Sequence, residues 1–336
     1  MVTKVLGQQT KNPDYPFLDT SRIDVLESYL SNKNILQPGE RVLEVTTLGR
    51  RARNRVVRIV TEQRSLVLKQ FLPWACNGTV APALEDRFRA EQQFHRSSRI
   101  AECPKQPVPN LLHVDARGLC MLFEDAGGES RENCAPDAVE AEGLAWFLVN
   151  LHHHTQSVPG CARHENGGVR QWLASHLFAE VSADDERHVW AARLQRVADP
   201  VRGYLRDARL ALAEDGLCLL HGDFLPRNWL CAAGRIRIVD TEFSFYGRPE
   251  FDAGSLLAGL LRSGGDRGTM RRVLAVLESG CVRYDARLTA CFAAVQLVDL
   301  LDAARATGAG PRGSTASALL RRAVRAVETG SLAALG

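Results

Sequence analysis

Near residue 125 the chain changes its hydrophobic period. Upstream, Val42–Thr47, Val56–Val60 and Leu66–Phe71 are short runs rich in β-branched residues, separated by Gly49–Asn54 and Glu62–Ser65. Runs of this kind, bounded by turn-forming residues, read as strands. Two more strands fit Asn110–Val114 and Leu119–Phe123. Behind Thr20-Ser21, the residues Ile23, Leu26, Tyr29 and Leu30 fall at helical spacing, and Pro38-Gly39 ends that element. A second helix is predicted over Ala83–Arg96, after Pro82. Beyond Asp125-Ala126-Gly127-Gly128 the pattern turns helical, as over Val139–His153 and Leu173–Ala179. The exception is a strand island at Leu217–Asp240 that turns at Ala233-Gly234. The expectation is an α+β chain in two lobes: residues 1–125 as a small antiparallel sheet with one helix, and residues 126–336 as a larger, mainly helical lobe. A cleft is expected at the connector.

Composition narrows the class. With 45% hydrophobic and 24% charged residues over 336 positions, the chain is an ordinary globular one, which excludes disorder, collagen and coiled coil. The most apolar stretch, Leu288–Ala304, is broken by Asp299 and Asp302, so no membrane span is expected. Residues 1–17 are polar and lack a signal-peptide core, so the expected location is cytoplasmic. A net charge of +3 gives no case for a nucleic-acid or membrane partner. Nine scattered cysteines without a C-x-x-C fit reduced thiols, not a zinc site or a disulfide framework. The five tryptophans are expected in the core or between lobes.

One constellation carries chemistry. His221-Gly222-Asp223-Phe224-Leu225-Pro226-Arg227-Asn228 follows the apolar run Leu217–Leu220, and Asp240 closes the strand Arg235–Val239. A Pro-bearing loop is expected to expose Asp223 and Asn228, while a hairpin delivers Asp240 beside them. One carboxylate there can take a proton from an attacking hydroxyl. Asn228 and Asp240 are hard oxygen ligands suited to a Mg²⁺ that substrate phosphates also hold.

At these residues the chain resembles the aminoglycoside phosphotransferase-like kinases, a family that includes choline kinases and methylthioribose kinases and has a protein-kinase-like fold. His221-Gly222-Asp223-x-x-x-x-Asn228 is similar to the family's catalytic loop, and Asp240-Thr241-Glu242 to its D-x-E metal motif. Phe243–Gly247 with Phe251-Asp252-x-Gly254 resembles the methylthioribose kinase branch, and the likeness reaches back to Val67-Leu68-Lys69-Gln70. The resemblance implies Asp223 as catalytic base, Asn228 and Asp240 as Mg²⁺ ligands, and Asp252 as a brace of the catalytic loop. It implies a small-molecule phosphotransferase with ATP or GTP as donor. The connector Phe123–Gly127 matches the hinge that holds a purine through backbone groups, here those of Glu124 and Ala126.

The sheet lobe supplies matching parts. Period-two alternation puts Val67 and Lys69 on one face of their strand. On the following helix Leu84, Phe88, Glu91 and His95 form one stripe, which buries Glu91 and makes it the expected partner of Lys69. The turn Thr46–Arg55 departs from the family's glycine-rich pattern, with one glycine and four arginines; backbone amides near Gly49 are its route to phosphate. Leu225 stands two positions after Asp223, so Arg227 or another arginine must balance the transferred phosphoryl. Glu242 reads either as a metal ligand or as an acid shaping the strand end. His152-His153-His154 diverge by about 100° per residue on a helix, which favours packing over metal binding.

Two acceptor readings follow from the resemblance. The leading expectation is an antibiotic-inactivating enzyme, for an aminoglycoside or a ribosyl or nucleoside type, because the Arg- and Ala-rich composition suggests a GC-rich bacterial source. The Asp240–Asp252 segment favours a metabolic sugar kinase of methylthioribose kinase type. Acids at Glu165, Asp184, Asp185 and Glu186 are candidate contacts for a cationic acceptor, or a plain solvated face. A reading from a different class is a nucleotide-binding module without catalysis.

Overall fold

The computed structural model describes residues 17–48, 54–72, 84–96, 107–156, 166–182, 188–232, 235–309, 311 and 313–336. Gly49 and its neighbouring arginines, the turn at Ala233-Gly234, Trp74, and the acids Glu165, Asp184, Asp185 and Glu186 lie outside the described residues. The chain divides into two compact units, one of residues 1–88 and 109–125, the other of residues 89–108 and 126–336.

The first unit is a five-stranded antiparallel sheet. Its strands are β1 (Val42–Leu48), β2 (Asn54–Thr61), β3 (Ser65–Phe71), β4 (Leu111–Asp115) and β5 (Cys120–Glu124), in spatial order β1-β2-β3-β5-β4. Helix α1 (Ile23–Asn32) starts where expected but ends before Pro38-Gly39, and Lys33 closes it with backbone bonds to Tyr29 and Ser31. Its N-cap position is Arg22, which makes no side-chain cap bond, and Ser21 bonds to Asp19 and not to the helix.

Both faces of the sheet are covered, because β3 alternates. Leu66 and Leu68 join Leu26, Leu30, Val57, Ile59 and Leu122 in one apolar cluster. Val67 and Phe71 join Phe88, Met121 and Phe123 in the other. Lys69 shares the second face and is buried, with its ammonium 4.8 Å above the Phe71 ring. Alternation thus puts a cation in an aromatic lining. Helix α2 (Leu84–Arg96) begins on this face, where buried Arg87 donates to Asn54 Oδ1 and to the Leu72 carbonyl.

The second unit is mainly helical. Its principal helices are α3 (Ala138–His154), α4 (Gly167–Leu177), α5 (Val189–Gln195), α6 (Asp199–Ala213), α7 (Glu250–Ser263), α8 (Arg267–Ser279), α9 (Ala286–Ala306) and α10 (Gly313–Thr329). α3 opens with a capping box between Asp137 and Glu140. α7 and α9 pack closely because position 254 is glycine: a Cβ there would meet Phe292 Cβ at 2.6 Å. The strand island resolves into β7 (Cys218–Leu220), β8 (Trp229–Ala232) and β9 (Arg235–Ile238). Two strands too short to show a period, β6 (Glu129–Ser130) and β10 (Phe245–Gly247), pair with β8 and β7. The tryptophans do not all enter the core: Trp229 is fully buried, but Trp146 is 42% exposed. Among the described residues no helix is long and apolar enough to cross a membrane.

Candidate active site

β7 leads directly into the His221–Asn228 loop, and its antiparallel pairing with β10 sets Leu220 opposite Phe245. Gly222 turns the chain with φ +78°, and a Cβ there would run into the carbonyl of Phe243. Glycine is the residue this close approach requires. Asp252, on the first turn of α7, holds the loop from below. Its Oδ2 accepts the His221 amide at 2.7 Å, and its Oδ1 accepts the Gly222 amide at 3.1 Å. His152 Nε2 lies 3.4 Å from the same carboxylate, and Tyr284 Oη is 3.1 Å from His152 Nδ1. Of the three consecutive histidines only His152 is fully buried, and it packs against this brace.

Asp223 and Asn228 are buried, at 7% and 4% exposure, where the loop was expected to expose them. The reason is a 3₁₀ turn, Pro226–Asn228, that folds back over the Asp223 carboxylate. Arg227 Nη2 donates to Asp223 Oδ1 at 2.5 Å and Asn228 Nδ2 to Oδ2 at 3.0 Å. Asn228 Nδ2 also donates to the Asp223 carbonyl at 2.8 Å. Room for the turn comes from Gly259, where a Cβ would lie 2.7 Å from both Pro226 Cδ and Trp229. Partial desolvation works against the charge of Arg227, and the carboxylates of Asp223, Asp299 and Asp240 outweigh it, raising its pKa above the ordinary guanidinium value.

Val239 ties the loop to the acids beyond β9. Its amide donates to the Asn228 carbonyl at 3.1 Å, and its carbonyl lies 3.2 Å from His221 Nε2. Because His221 Nδ1 accepts the Asp223 amide at 3.3 Å, Nε2 is the protonated nitrogen. Burial depresses the His221 pKa, against the opposing charges of Asp252, Asp223 and Asp240. The next residue, Asp240, adopts φ +65°, a left-handed conformation uncommon outside glycine. Carboxylate oxygens of Asp240, Glu242 and Glu91 all lie within 4.8 Å of one another. Glu91 and Glu242 are buried, so this gathering of acids calls for a cation.

Residues 44–291 match the APH phosphotransferase enzyme family. The chain belongs to that family. A methylthioribose kinase from Yersinia pseudotuberculosis is 28% identical over 221 residues, which cover 58% of this chain and 53% of that protein. The chain spans about half the length of the curated relatives it matches. Among solved structures, a choline kinase from Streptococcus pneumoniae has a TM-score of 0.51 at 16% identity, covering 91% of this chain and 98% of that one. A spectinomycin phosphotransferase in complex with ADP and spectinomycin has a TM-score of 0.51 at 10% identity, covering 94% and 97%. These likenesses show the fold, which is α+β and protein-kinase-like.

In this APH-family chain the second unit gathers Glu91, Asp223, Arg227, Asn228, Asp240, Glu242 and Asp252, with His221 as their link. The carboxylate cluster of Asp240, Glu242 and Glu91 fits a hard divalent cation. Glu91, expected as the partner of Lys69, stands beside the metal-type acids. Lys69 and Glu124 belong to the first unit, and Ala126 to the second. The Glu124 amide donates to the Asn110 carbonyl at 3.0 Å, so a purine contact at Glu124 falls to its carbonyl.

Sequence reasoning missed three residues of this neighbourhood: Trp172 and His176 on α4, and Asp299 as a partner on α9. Asp299 Oδ1 lies 3.0 Å from His176 Nε2. Partial desolvation disfavours the ionised form of Asp299, but the His176 hydrogen bond and the charges of His176, Arg227 and His188 overcome it and lower its pKa. The signal was the interruption of the apolar stretch Leu288–Ala304 by two acids.

Proposed function

We propose that this protein is a metal-dependent O-phosphotransferase that moves the γ-phosphoryl group of ATP to a hydroxyl of a small ribosyl-type acceptor. The carrying observation is the Asp223 carboxylate, held by Arg227 and Asn228 in a loop braced by Asp252 and tied through Val239 to Asp240. Asp223 orients the acceptor hydroxyl and takes its proton as the new O–P bond forms and the bond to the β–γ bridging oxygen breaks. ADP is the leaving group. Asp240 and Asn228 are the proposed Mg²⁺ ligands, with Glu242 and Glu91 beside them, and bound Mg²⁺ neutralises charge on the phosphates. Lys69 is the proposed cation for the α- and β-phosphates, Glu91 is its proposed partner, and the Glu124 and Ala126 backbone is the proposed purine contact. Positioning and charge neutralisation supply most of the acceleration in such transfers.

The ribosyl-type acceptor rests on the methylthioribose kinase relatives, whose likeness is one of sequence, over about half of their length. The antibiotic-inactivating reading has weaker support, because the likeness to the spectinomycin phosphotransferase is one of fold alone. The test is mass spectrometry of a panel of acceptors incubated with enzyme, Mg²⁺ and either ATP or GTP, with Asp223→Asn as control. The expected result is a phosphorylated methylthioribose-like sugar, absent with the variant. A product found only on aminoglycosides would move the enzyme to antibiotic inactivation. Nucleotide binding without any product would make it a non-catalytic module.

A further inference from the structure

Behind Asp252 runs a buried line of polar groups that the transfer step itself does not use. His152, in the last turn of α3, has Nε2 3.4 Å from Asp252 Oδ2, and both side chains are fully buried. On the other edge of the ring, Nδ1 lies 3.1 Å from Tyr284 Oη, with the two rings 6.0 Å apart at 61°. Tyr284 belongs to the connection between α8 and α9, 132 positions beyond His152. Packing holds that connection in place. Gly280 closes on the helix that carries His152, since a Cβ there would meet Val149 Cγ1 at 2.6 Å. Val282 is buried, and the Asp285 amide donates at 3.0 Å to Oε1 of Glu250, the first residue of α7.

The proton positions follow from what each group can accept. Both oxygens of Asp252 already take an amide N–H, the pattern of an ionised carboxylate, which has no proton to give. The contact with His152 therefore requires the ring proton on Nε2. Nδ1 is left with a lone pair in a buried place, and among the described residues its partner is the Tyr284 hydroxyl alone. That hydroxyl has no other partner among them, so it donates to Nδ1. Burial and the nearby carboxylates of Asp252 and Glu250 raise the Tyr284 pKa, which keeps the phenol proton in place. Which imidazole nitrogen is protonated is set by the bond that the other one makes.

We infer that Tyr284 is a positioning residue for the phosphoryl transfer: its hydroxyl holds His152 as the Nε2–H tautomer, and His152 in turn keeps the Asp252 carboxylate on the amides of His221 and Gly222. The inference rests on the phosphotransferase reading. The line continues to the base, because His221 Nδ1 accepts the Asp223 amide at 3.3 Å. Without the hydroxyl, the Nε2–H tautomer leaves Nδ1 unpaired in the core. The other tautomer sets the Nε2 lone pair against the carboxylate. Either outcome loosens Asp252 and, through its two amides, the loop that carries Asp223. A misplacement of about 1 Å at reacting groups costs on the order of 100-fold in rate, so partial loosening is read in kcat.

Steady-state kinetics with ATP and 5-methylthioribose, or with whichever acceptor of the panel the wild type phosphorylates, test this. Tyr284→Phe should lower kcat about 10-fold, with KM for ATP within a factor of about 2, which also shows that the variant is folded. His152→Leu cuts the line at its middle. In that background Tyr284→Phe should change kcat by less than a factor of about 2, because the hydroxyl acts only through the ring. Nitrogen-15 NMR of the histidine rings reads the tautomer without any turnover. One ring that is Nε2–H in the wild type should gain the Nδ1–H form in Tyr284→Phe, and this arm decides the matter if His152→Leu does not fold. Wild-type kcat in Tyr284→Phe, an equal loss with and without His152, or histidine spectra that do not change overturns the inference while leaving the enzyme a phosphotransferase. ATP binding by the wild type with no transfer to any acceptor of the panel overturns the phosphotransferase reading, and this inference with it.

Discussion

Arg227 donates to the carboxylate of Asp223 at 2.5 Å, four residues further along the loop. The proposed base is thus neutralised by its own turn before any substrate arrives. A carboxylate oxygen has two lone pairs, so the bonds from Arg227 and Asn228 leave capacity for an acceptor hydroxyl. Asp223→Asn removes the proton acceptor and turns an amide N–H toward one of two donors. Turnover should fall about 100-fold or more, the scale of a lost general base. ATP affinity, measured by calorimetry, should change little, because Asp223 does not touch the nucleotide in this scheme. Wild-type turnover in the variant would remove Asp223 from its role.

Asp252 has a structural job that can be weighed. It is fully buried and accepts two consecutive backbone amides, those of His221 and Gly222, beside His152. Asp252→Ala leaves these donors without partners in a water-free place. The expected cost is about 2–6 kcal/mol, from two buried donors left unsatisfied at about 1–3 kcal/mol each. Urea unfolding should show a lower midpoint at an unchanged slope. Asp252→Asn, which keeps one oxygen acceptor, should lose less, and equal losses in the two variants would argue against the amide cradle.

The carboxylates of Glu91, Asp240 and Glu242 lie within 4.8 Å of one another, and that crowding sets the third expectation. Like charges this close repel unless a cation joins them. Asp240→Ala should raise the Mg²⁺ concentration needed for half-maximal activity about 10-fold or more, since it removes a charged oxygen ligand. Added Mg²⁺ should also raise the melting temperature of the wild type by mass action and do so less in the variant. An identical Mg²⁺ dependence in both proteins would place the metal elsewhere.

The parts of the site that could be read in the sequence are those whose geometry is local. His221, Asp223 and Asn228 belong to one turn, and Asp240 and Glu242 follow one short hairpin. Lys69 and Glu91 could be placed on buried faces because a strand repeats every two residues and a helix every 3.6. The His176–Asp299 contact spans 123 positions and obeys no local period. Asp299 was visible only as a fault in an apolar helix, which the same pattern shares with Asp302, and the structure separates the open acid from the buried cap. Burial of Asp223 was equally out of reach, since it depends on Gly259 of α7 making space for Pro226.

His221 makes the unfolding equilibrium sensitive to mild acid. Its ring is fully buried, with Nε2 donating to the Val239 carbonyl and Nδ1 accepting the Asp223 amide, an arrangement that only the neutral imidazole satisfies. Burial lowers its pKa below the ordinary value of 6.5, despite the three nearby carboxylates. The unfolded chain therefore binds a proton through pH 6.5 that the folded chain refuses. This contribution to stability is fully present above pH 6.5 and is lost as pH falls from there toward the folded-state pKa. Over that window the slope from one such group approaches about 1.4 kcal/mol per pH unit. Urea titrations at pH 7.5, 6.5 and 5.5 should show a falling midpoint for the wild type. The fall should be shallower in His221→Gln, which keeps a hydrogen-bonding side chain but cannot take up a proton. Parallel pH profiles for the two proteins would assign the acid sensitivity to other groups.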